Sequence, residues 1–199
     1  RRMAGAPRDV RLAVRAVTAL VTLPVRQQTQ AWLDMRRTGI TASEMPVLTG
    51  NRPGLLDLWA FKAGLLEREP IDADTQQMFD LAHALEPVIA QQYSRNTGRP
   101  LRRVNRMVRH PDVAWAFASL DRVSAVPGER LVAEVKWSPH RRFADGPETV
   151  PADVQDQVQW QLYVSGYPLA HVIVLLGGRV EYHEVEAQAA YHEHLLFLA

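Results

Sequence analysis

Leu131-Val132-Ala133-Glu134-Val135-Lys136-Trp137 is the stretch whose reading decides the fold. Strand side chains alternate between two faces, so Glu134 and Lys136 share one face. Leu131, Ala133, Val135 and Trp137 share the other. A carboxylate and an ammonium on a strand of this buried type are costly unless they are paired or used. Ala118-Ser119-Leu120-Asp121 comes shortly before it. Asp121 and Glu134 are 13 positions apart (134 − 121 = 13). That spacing suits two strands of a hairpin, with Val126-Pro127-Gly128-Glu129 as the turn.

An Asp followed by Glu-x-Lys on the next strand is the layout of a metal-dependent phosphodiesterase site. Such hydrolysis uses a divalent cation to polarise the phosphate and to lower the pKa of the attacking water. Hard cations such as Mg2+ take carboxylate oxygens, a carbonyl and waters. Asp121 and Glu134 offer carboxylates, the Val135 backbone carbonyl a third ligand, and Glu86 a further acid. Lys136 would position or activate the water, or stabilise the negative transition state. The same string also reads as a surface strand with a Glu–Lys pair and an unrelated Asp in a turn.

Working outward, Asp74 to Thr97 is the longest helical stretch. Met78, Leu81, Leu85, Ile89 and Tyr93 form one apolar face, and Pro87 predicts a kink or break. Helices are also expected over Asp9–Leu23, Thr29–Arg37, Leu55–Leu65, Ala152–Ser165 and Ala187–Leu198, with a short one starting near Ser43. Thr41-Ala42-Ser43-Glu44 resembles a capping box. Strands are expected over Leu101–Val108, Trp115–Val123, Leu131–Trp137, His171–Leu176 and Val180–Val185. Gly177-Gly178 joins the last two as a two-residue hairpin. Pro139 to Pro151 reads as a loop. Trp59, Trp115 and Trp160 are expected in the core. The order predicts an α/β fold with a central mixed β-sheet flanked by helices. Residues 1–28 are expected to form an N-terminal helical extension and 29–199 a single domain.

The 199 residues are 47% hydrophobic and 23% charged, enough for one domain with a substantial core. The formal net charge is +1, so no global charge dictates a partner. The distribution is more telling: Pro87 to Pro111 holds six arginines and no acid. Among them Arg102, Arg103 and Arg106 are candidates for a DNA backbone track. There is no cysteine, which excludes disulfides, thiolate nucleophiles and cysteine-ligated metals and fits a cytoplasmic protein. The apolar stretch Leu12 to Pro24 is broken by Arg15 and too short to span a bilayer. No small-x-small cleavage site follows it, so a signal peptide is not expected. The seven histidines show no convergent metal spacing apart from His192-x-His194.

Six motifs in order carry a resemblance. Trp32-Leu33-Asp34-Met35-Arg36, followed by Ile40-Thr41-Ala42-Ser43, resembles W-x-x-x-R…ITAS. Leu58-Trp59-x-x-Lys62-x-Gly64 resembles LW-x-x-K-x-G, and Leu85-Glu86-Pro87 resembles LEP. Ala118-Ser119-Leu120-Asp121 resembles ASxD, and Glu134-Val135-Lys136 resembles ExK. Gln157-Val158-Gln159-Trp160-Gln161, then Val164-Ser165-Gly166, resembles QVQ-x-Q…TG. Together they resemble the YqaJ-type viral recombinase family, related to lambda exonuclease, within the PD-(D/E)xK nuclease superfamily.

That resemblance implies a restriction-endonuclease-like core and a Mg2+-dependent deoxyribonuclease, with Mn2+ as a substitute ion. It implies a 5′-to-3′ exonuclease acting on double-stranded DNA ends in recombination. It also implies a single-strand annealing partner, a ring-shaped trimer, and work in the cytoplasm of a bacterial or phage-infected cell near the nucleoid, without a membrane. Glu86, Asp121, Glu134 and the Val135 carbonyl would hold metal. Lys136 would act on the water, with Gln157 beside the site. Arg36 and Ser43 would hold a DNA 5′-phosphate, Ser43 from a helix start, and Gln161 would be one turn beyond Gln157, towards the DNA backbone. Arg122 departs from the glycine usual after the Asp, and Ala82 or Ala84 from the glycine usual near LEP. Gln159-x-x-x-Tyr163 also fits the Q-x-x-x-Y motif of RecB-like or restriction-type endonucleases. A catalytically degenerate DNA-binding module is the non-enzyme alternative.

Overall fold

The structure, a computed structural model, describes residues 20–67, 71–137 and 150–199. The Leu131–Trp137 strand is at its centre. β6 (Leu131–Trp137) is the third strand of a five-stranded sheet. Its neighbours are β5 (Arg122–Ser124), antiparallel on one side, and β7 (Leu169–Leu176), parallel on the other. The edges are β2 (Leu101–Arg103), beside β5, and β8 (Arg179–Glu186), beside β7. β6 and β7 are mostly buried because helices cover both faces, and they read as near-continuous apolar runs. Gly177 and Gly178 close the β7–β8 hairpin at φ 52° and 83°, values that favour glycine in a turn of this kind.

The mixed sheet flanked by helices matches the expectation, but two expected strands are each split. Leu101–Val108 becomes β2 and β3 (Met107–Arg109), and Trp115–Val123 becomes β4 (Ala116–Ser119) and β5. In each case the two halves join different sheets. β4 is the middle of a smaller sheet, parallel to β1 (Ile40–Thr41) and antiparallel to β3. Leu120-Asp121 is the crossing point between the sheets. A continuous strand would have aligned Asp121 in a ladder; the break frees its side chain to turn towards β6.

The N-terminal region also differs. The expected helix over Asp9–Leu23 is mostly outside the described residues, but its last four are extended. Thr22 bridges Val108, and Leu23 N–H donates to the Met107 carbonyl at 2.8 Å. Gln27 Nε2 donates to the Val104 carbonyl at 3.1 Å. Residues 20–28 are thus packed on the domain, because β3 offers them an open edge. Most of the expected Pro139–Pro151 loop, and His140, lie outside the described residues.

α4 (Ala73–Thr97) runs unbroken through Pro87. Proline removes one bond, to the His83 carbonyl, and the rest of a 25-residue helix holds. Only the C-terminal half of its apolar face is covered: Ile89 and Tyr93 pack on Ala133 and Ile173, while Met78 and Leu81 are exposed. α5 (Ala152–Ser165) covers the other face of β6, with Val158, Trp160 and Leu162 in the main core. α6 (Ala189–Leu198) follows and packs on α5. Trp160 is fully buried, as expected, but Trp59 is 61% exposed and Trp115 38%. Trp59 sits on α3 (Leu55–Lys62), which buries only Phe61.

Candidate active site

Four elements bring the chemistry-bearing residues together. Glu134 and Lys136 share the β6 face turned to α5, as strand alternation requires. Glu134 is 3% exposed, and its burial is matched by polar partners. Lys136 Nζ reaches Glu134 Oε1 at 2.6 Å. Gln157 Nε2 donates to the same oxygen at 2.6 Å, and its Oε1 accepts from Lys136 Nζ at 3.0 Å. Gln161 Nε2 donates to Glu134 Oε2 at 2.7 Å and to the Ser119 carbonyl at 3.1 Å. Gln157 and Gln161 are four apart on α5, so they present one face to the strand. Gln161 is fully buried. Its amide is taken by the Glu134 carboxylate and the Ser119 carbonyl, so the side chain is turned inward onto Glu134.

Asp121 Oδ2 accepts from Val135 N–H at 2.9 Å. In an extended strand the N–H and C=O of one residue leave on the same edge. The Val135 carbonyl is therefore on the edge that carries Asp121, just past the point where the β5 ladder ends. Burial pushes the Asp121 carboxyl well above its usual range, and the neighbouring charges of Glu134 and then Glu86 push it further; Lys136 opposes them. Glu86, on α4, contacts the Arg122 guanidinium. The contact is ionic: Glu86 Oε1 is buried without an aligned hydrogen bond. Arg122 also donates to the Asp121 carbonyl at 2.8 Å.

Among the described residues, no three histidine or acidic side chains converge into a ready-made metal cage. Lys136 and Arg122 explain this, since each occupies a carboxylate. Their presence also shows what the site calls for. Asp121 feels the negative charges of Glu134 and Glu86 and accepts from the Val135 N–H; carboxylate and carbonyl oxygens of this kind are the donor types a hard divalent cation takes, though the acids are not gathered around one point.

Arg36 and Ser43 form a second cluster. Arg36 is in the last turn of α1 (Gln30–Arg37), which Thr29 caps. Its guanidinium lies 4.6 Å over the Trp32 ring, four residues earlier, and donates to Ser43 Oγ at 3.0 Å. Ser43 is inside a three-residue 3-10 turn, Ala42–Glu44, followed by the four-residue α2 (Met45–Leu48). The expected helix start is too short for a dipole argument, so anion binding here rests on side chains. Trp32 Nε1 donates to Ser119 Oγ at 3.1 Å, tying this cluster to the strand break beside Asp121.

One cavity of about 510 Å3 joins the two clusters, lined by Arg36, Ser43, Ser119, Asp121 and Gln157 among others. Glu134 and Lys136 are outside this lining but bonded to Gln157, which is in it. Ser119 and the α4 residues Asp80 and His83, for which the sequence predicts no role, also line it. The signal for Ser119 was the ASxD string itself. For Asp80 and His83 it was their place on the helix face leading to Glu86. Arg102, Arg103 and Arg106 are exposed, on or just past edge strand β2, outside the cavity lining. Gln159 and Tyr163 face away: Gln159 bonds the Glu186 carbonyl and Gln188 N–H, and Tyr163 stacks on His110.

A mixed sheet flanked by helices, with Asp121 at a strand break beside Glu134 and Lys136 on the unbroken β6, defines a fold of the PD-(D/E)xK type. Solved structures share it. The alkaline exonuclease LHK-Exo from Laribacter hongkongensis aligns with a TM-score of 0.70 in its complex with dAMP and 0.68 in another crystal structure, at 18% identity, covering 85% of this chain and 88% of that one. A phage-related exonuclease from Haemophilus somnus 129PT aligns with a TM-score of 0.58 at 11% identity, over 80% of this chain and 89% of that one. Residues 31–168 match the YqaJ-like viral recombinase domain, and the chain belongs to that family. It is 28% identical over 152 residues to the uncharacterized protein YqaJ of Bacillus subtilis (strain 168), covering 74% of this chain. The chain spans 46% of the length of that curated relative.

Proposed function

We propose that this chain is a metal-dependent deoxyribonuclease that degrades double-stranded DNA from its ends in the 5′-to-3′ sense. One observation carries the reading: a single cavity joins Arg36 and Ser43, suited to a terminal phosphate, to Asp121 and Gln157, and Gln157 in turn bonds Glu134 and Lys136. Family membership and the fold shared with exonucleases support it. Glu86, Asp121, Glu134 and the Val135 carbonyl would hold Mg2+, or Mn2+ in its place. When bound, the ion polarises the scissile phosphate and acidifies the attacking water. Lys136 holds that water or offsets charge developing on the phosphate, Gln157 fixes Lys136, and Gln161 fixes Glu134. Arg36 and Ser43 hold the 5′-phosphate and set how far the chain end enters. The nuclease unit comprises residues 29–199, with residues 20–28 held against it by the Thr22–Val108 bridge and the Leu23 N–H to Met107 carbonyl bond.

A single-strand annealing partner, a trimeric ring and work in the cytoplasm of a bacterial or phage-infected cell come from the family resemblance. No described helix is long and apolar enough to cross a membrane. The test compares linear duplexes bearing 5′-phosphate or 5′-hydroxyl ends with circular duplex, in Mg2+. Loss of linear DNA only, faster with the 5′-phosphate, supports the proposal. Cutting of circles would sink it.

A further inference from the structure

The motif Leu58-Trp59-x-x-Lys62-x-Gly64 has no part in the chemistry above, yet its lysine is built into the Arg36–Ser43 cluster. Lys62 comes from the last turn of α3, and its ammonium is largely covered. Nζ donates to Glu44 Oε2 at 2.8 Å and also contacts the carbonyls of Arg36 and Gly39. Glu44 is 3% exposed and divides its carboxylate: Oε2 accepts from Lys62 and from Thr41 N–H at 2.9 Å, and Oε1 faces Arg36 at 3.5 Å. Burial alone would raise the Glu44 carboxyl, but Lys62 and then Arg36 outweigh it and hold it below its ordinary value. Glu44 is therefore a buried anion directly behind the residue assigned to the phosphate.

That arrangement poses an electrostatic problem. A buried carboxylate beside Arg36 competes with an incoming phosphate for the same guanidinium. Arg36 and Glu44 alone sum to zero charge; Lys62 brings the three to a single positive charge. Lys62 also binds the Arg36 carbonyl in the last turn of α1 and the Gly39 carbonyl just before β1, which ties the end of α1 to the start of β1.

We propose that Lys62 and Glu44 are a positioning pair that sets 5′-phosphate selectivity, with Lys62 neutralising Glu44 so that Arg36 keeps its charge for the terminal phosphate. This rests on the reading of Arg36 and Ser43 as the terminal-phosphate site. Lys62 touches no reacting atom; it acts through Glu44 and Arg36.

The experiment measures kcat/KM on linear duplexes with 5′-phosphate and 5′-hydroxyl ends, using the full chain in Mg2+. The readout is the ratio of the two. Lys62→Met removes the ammonium that offsets Glu44 beside Arg36, and the ratio falls about tenfold, the scale of one charge-assisted contact. The double variant Lys62→Met/Glu44→Gln removes both charges, returns Arg36 to a net positive site and recovers most of the ratio. A merely structural lysine predicts the reverse, with the double variant no better than the single. If Lys62→Met does not fold, Lys62→Gln, which keeps donors for the two carbonyls, takes its place with the same expectation. A wild-type ratio near one overturns the terminal-phosphate reading itself. A wild-type preference that survives Lys62→Met, or is not recovered by Glu44→Gln, overturns the positioning pair alone.

Discussion

Lys136 and Asp121 are close together, but their environments set different expectations. Lys136 is held by Glu134 and Gln157, partners it shares with the proposed reaction. Lys136→Ala should lower single-turnover cleavage by at least about 100-fold, the lower bound for a positioned proton-transfer group. DNA binding followed by fluorescence anisotropy should persist; retained cleavage refutes the role. Asp121 makes a stability prediction. Its folded pKa is raised above the unfolded value of 3.8, chiefly by burial and then by Glu134 and Glu86. Between those values the folded state binds more protons than the unfolded one, so the metal-free protein loses stability as pH rises through that window. Asp121→Asn keeps an acceptor for Val135 N–H and removes the charge. It should melt higher than wild type at pH 8 without metal, by about 2–4 °C for each kcal/mol relieved, and should not cleave. The advantage should shrink on acidification. A variant no more stable than wild type at pH 8 counts against the buried-charge account.

At the level of elements, short pieces do the placing. β1 has two residues and the turn after it three, yet they carry Thr41, Ser43 and Glu44. Their position depends on a close approach at Gly39. A Cβ there would collide with the Trp115 carbonyl oxygen and come within 2.7 Å of Phe117 Cε2. Ile40 N–H bonds that same carbonyl at 2.8 Å, so the backbone cannot simply retreat. Gly39→Ala should cost about 1–3 kcal/mol, as overpacking does, read as a lower urea midpoint. It should also weaken the preference for 5′-phosphate ends. An unchanged midpoint would show that β1 has room to move. The helix α4 teaches a related lesson. Its apolar stripe was legible, but only its second half meets the sheet. Periodicity reports a face, not how much of that face finds a partner.

Over the whole molecule the charge is nearly balanced, and local distribution matters more. Arg102, Arg103 and Arg106 are exposed at the β2 edge. If they follow the DNA backbone, replacing all three by serine should flatten the dependence of log binding constant on log salt by up to about 2.7, at about 0.9 per phosphate contact. Titration at several salt concentrations reads this directly, and an unchanged slope removes the three from the DNA path. Arg99 is used differently. It pairs with Glu129 at 2.9 Å and bonds Tyr93 Oη at 3.3 Å. Six arginines in one stretch therefore do not form one surface.

The sequence by itself determined the class of fold, the central strand and the grouping of Asp121, Glu134 and Lys136. It could do so because strand alternation, turn chemistry and charged residues on apolar strands are local signals; Arg36, Ser43 and Gln157 were marked only by the resemblance of their motifs to a family. Glu134 and Lys136 are on one face because side chains alternate; Gln157 and Gln161 share a face because four residues make a helical turn. Only the tertiary structure decided the breaks within Leu101–Val108 and Trp115–Val123. Each half extends well as a strand, and nothing local records that the halves join different sheets. The break at Leu120-Asp121 then decides where Asp121 points. Tertiary contact also turned Gln161 inward onto Glu134, set Arg122 against Glu86 and put Lys62 behind Arg36. Those pairings join residues far apart in the chain, and their energetics exist only once burial has removed the water that would otherwise separate the charges.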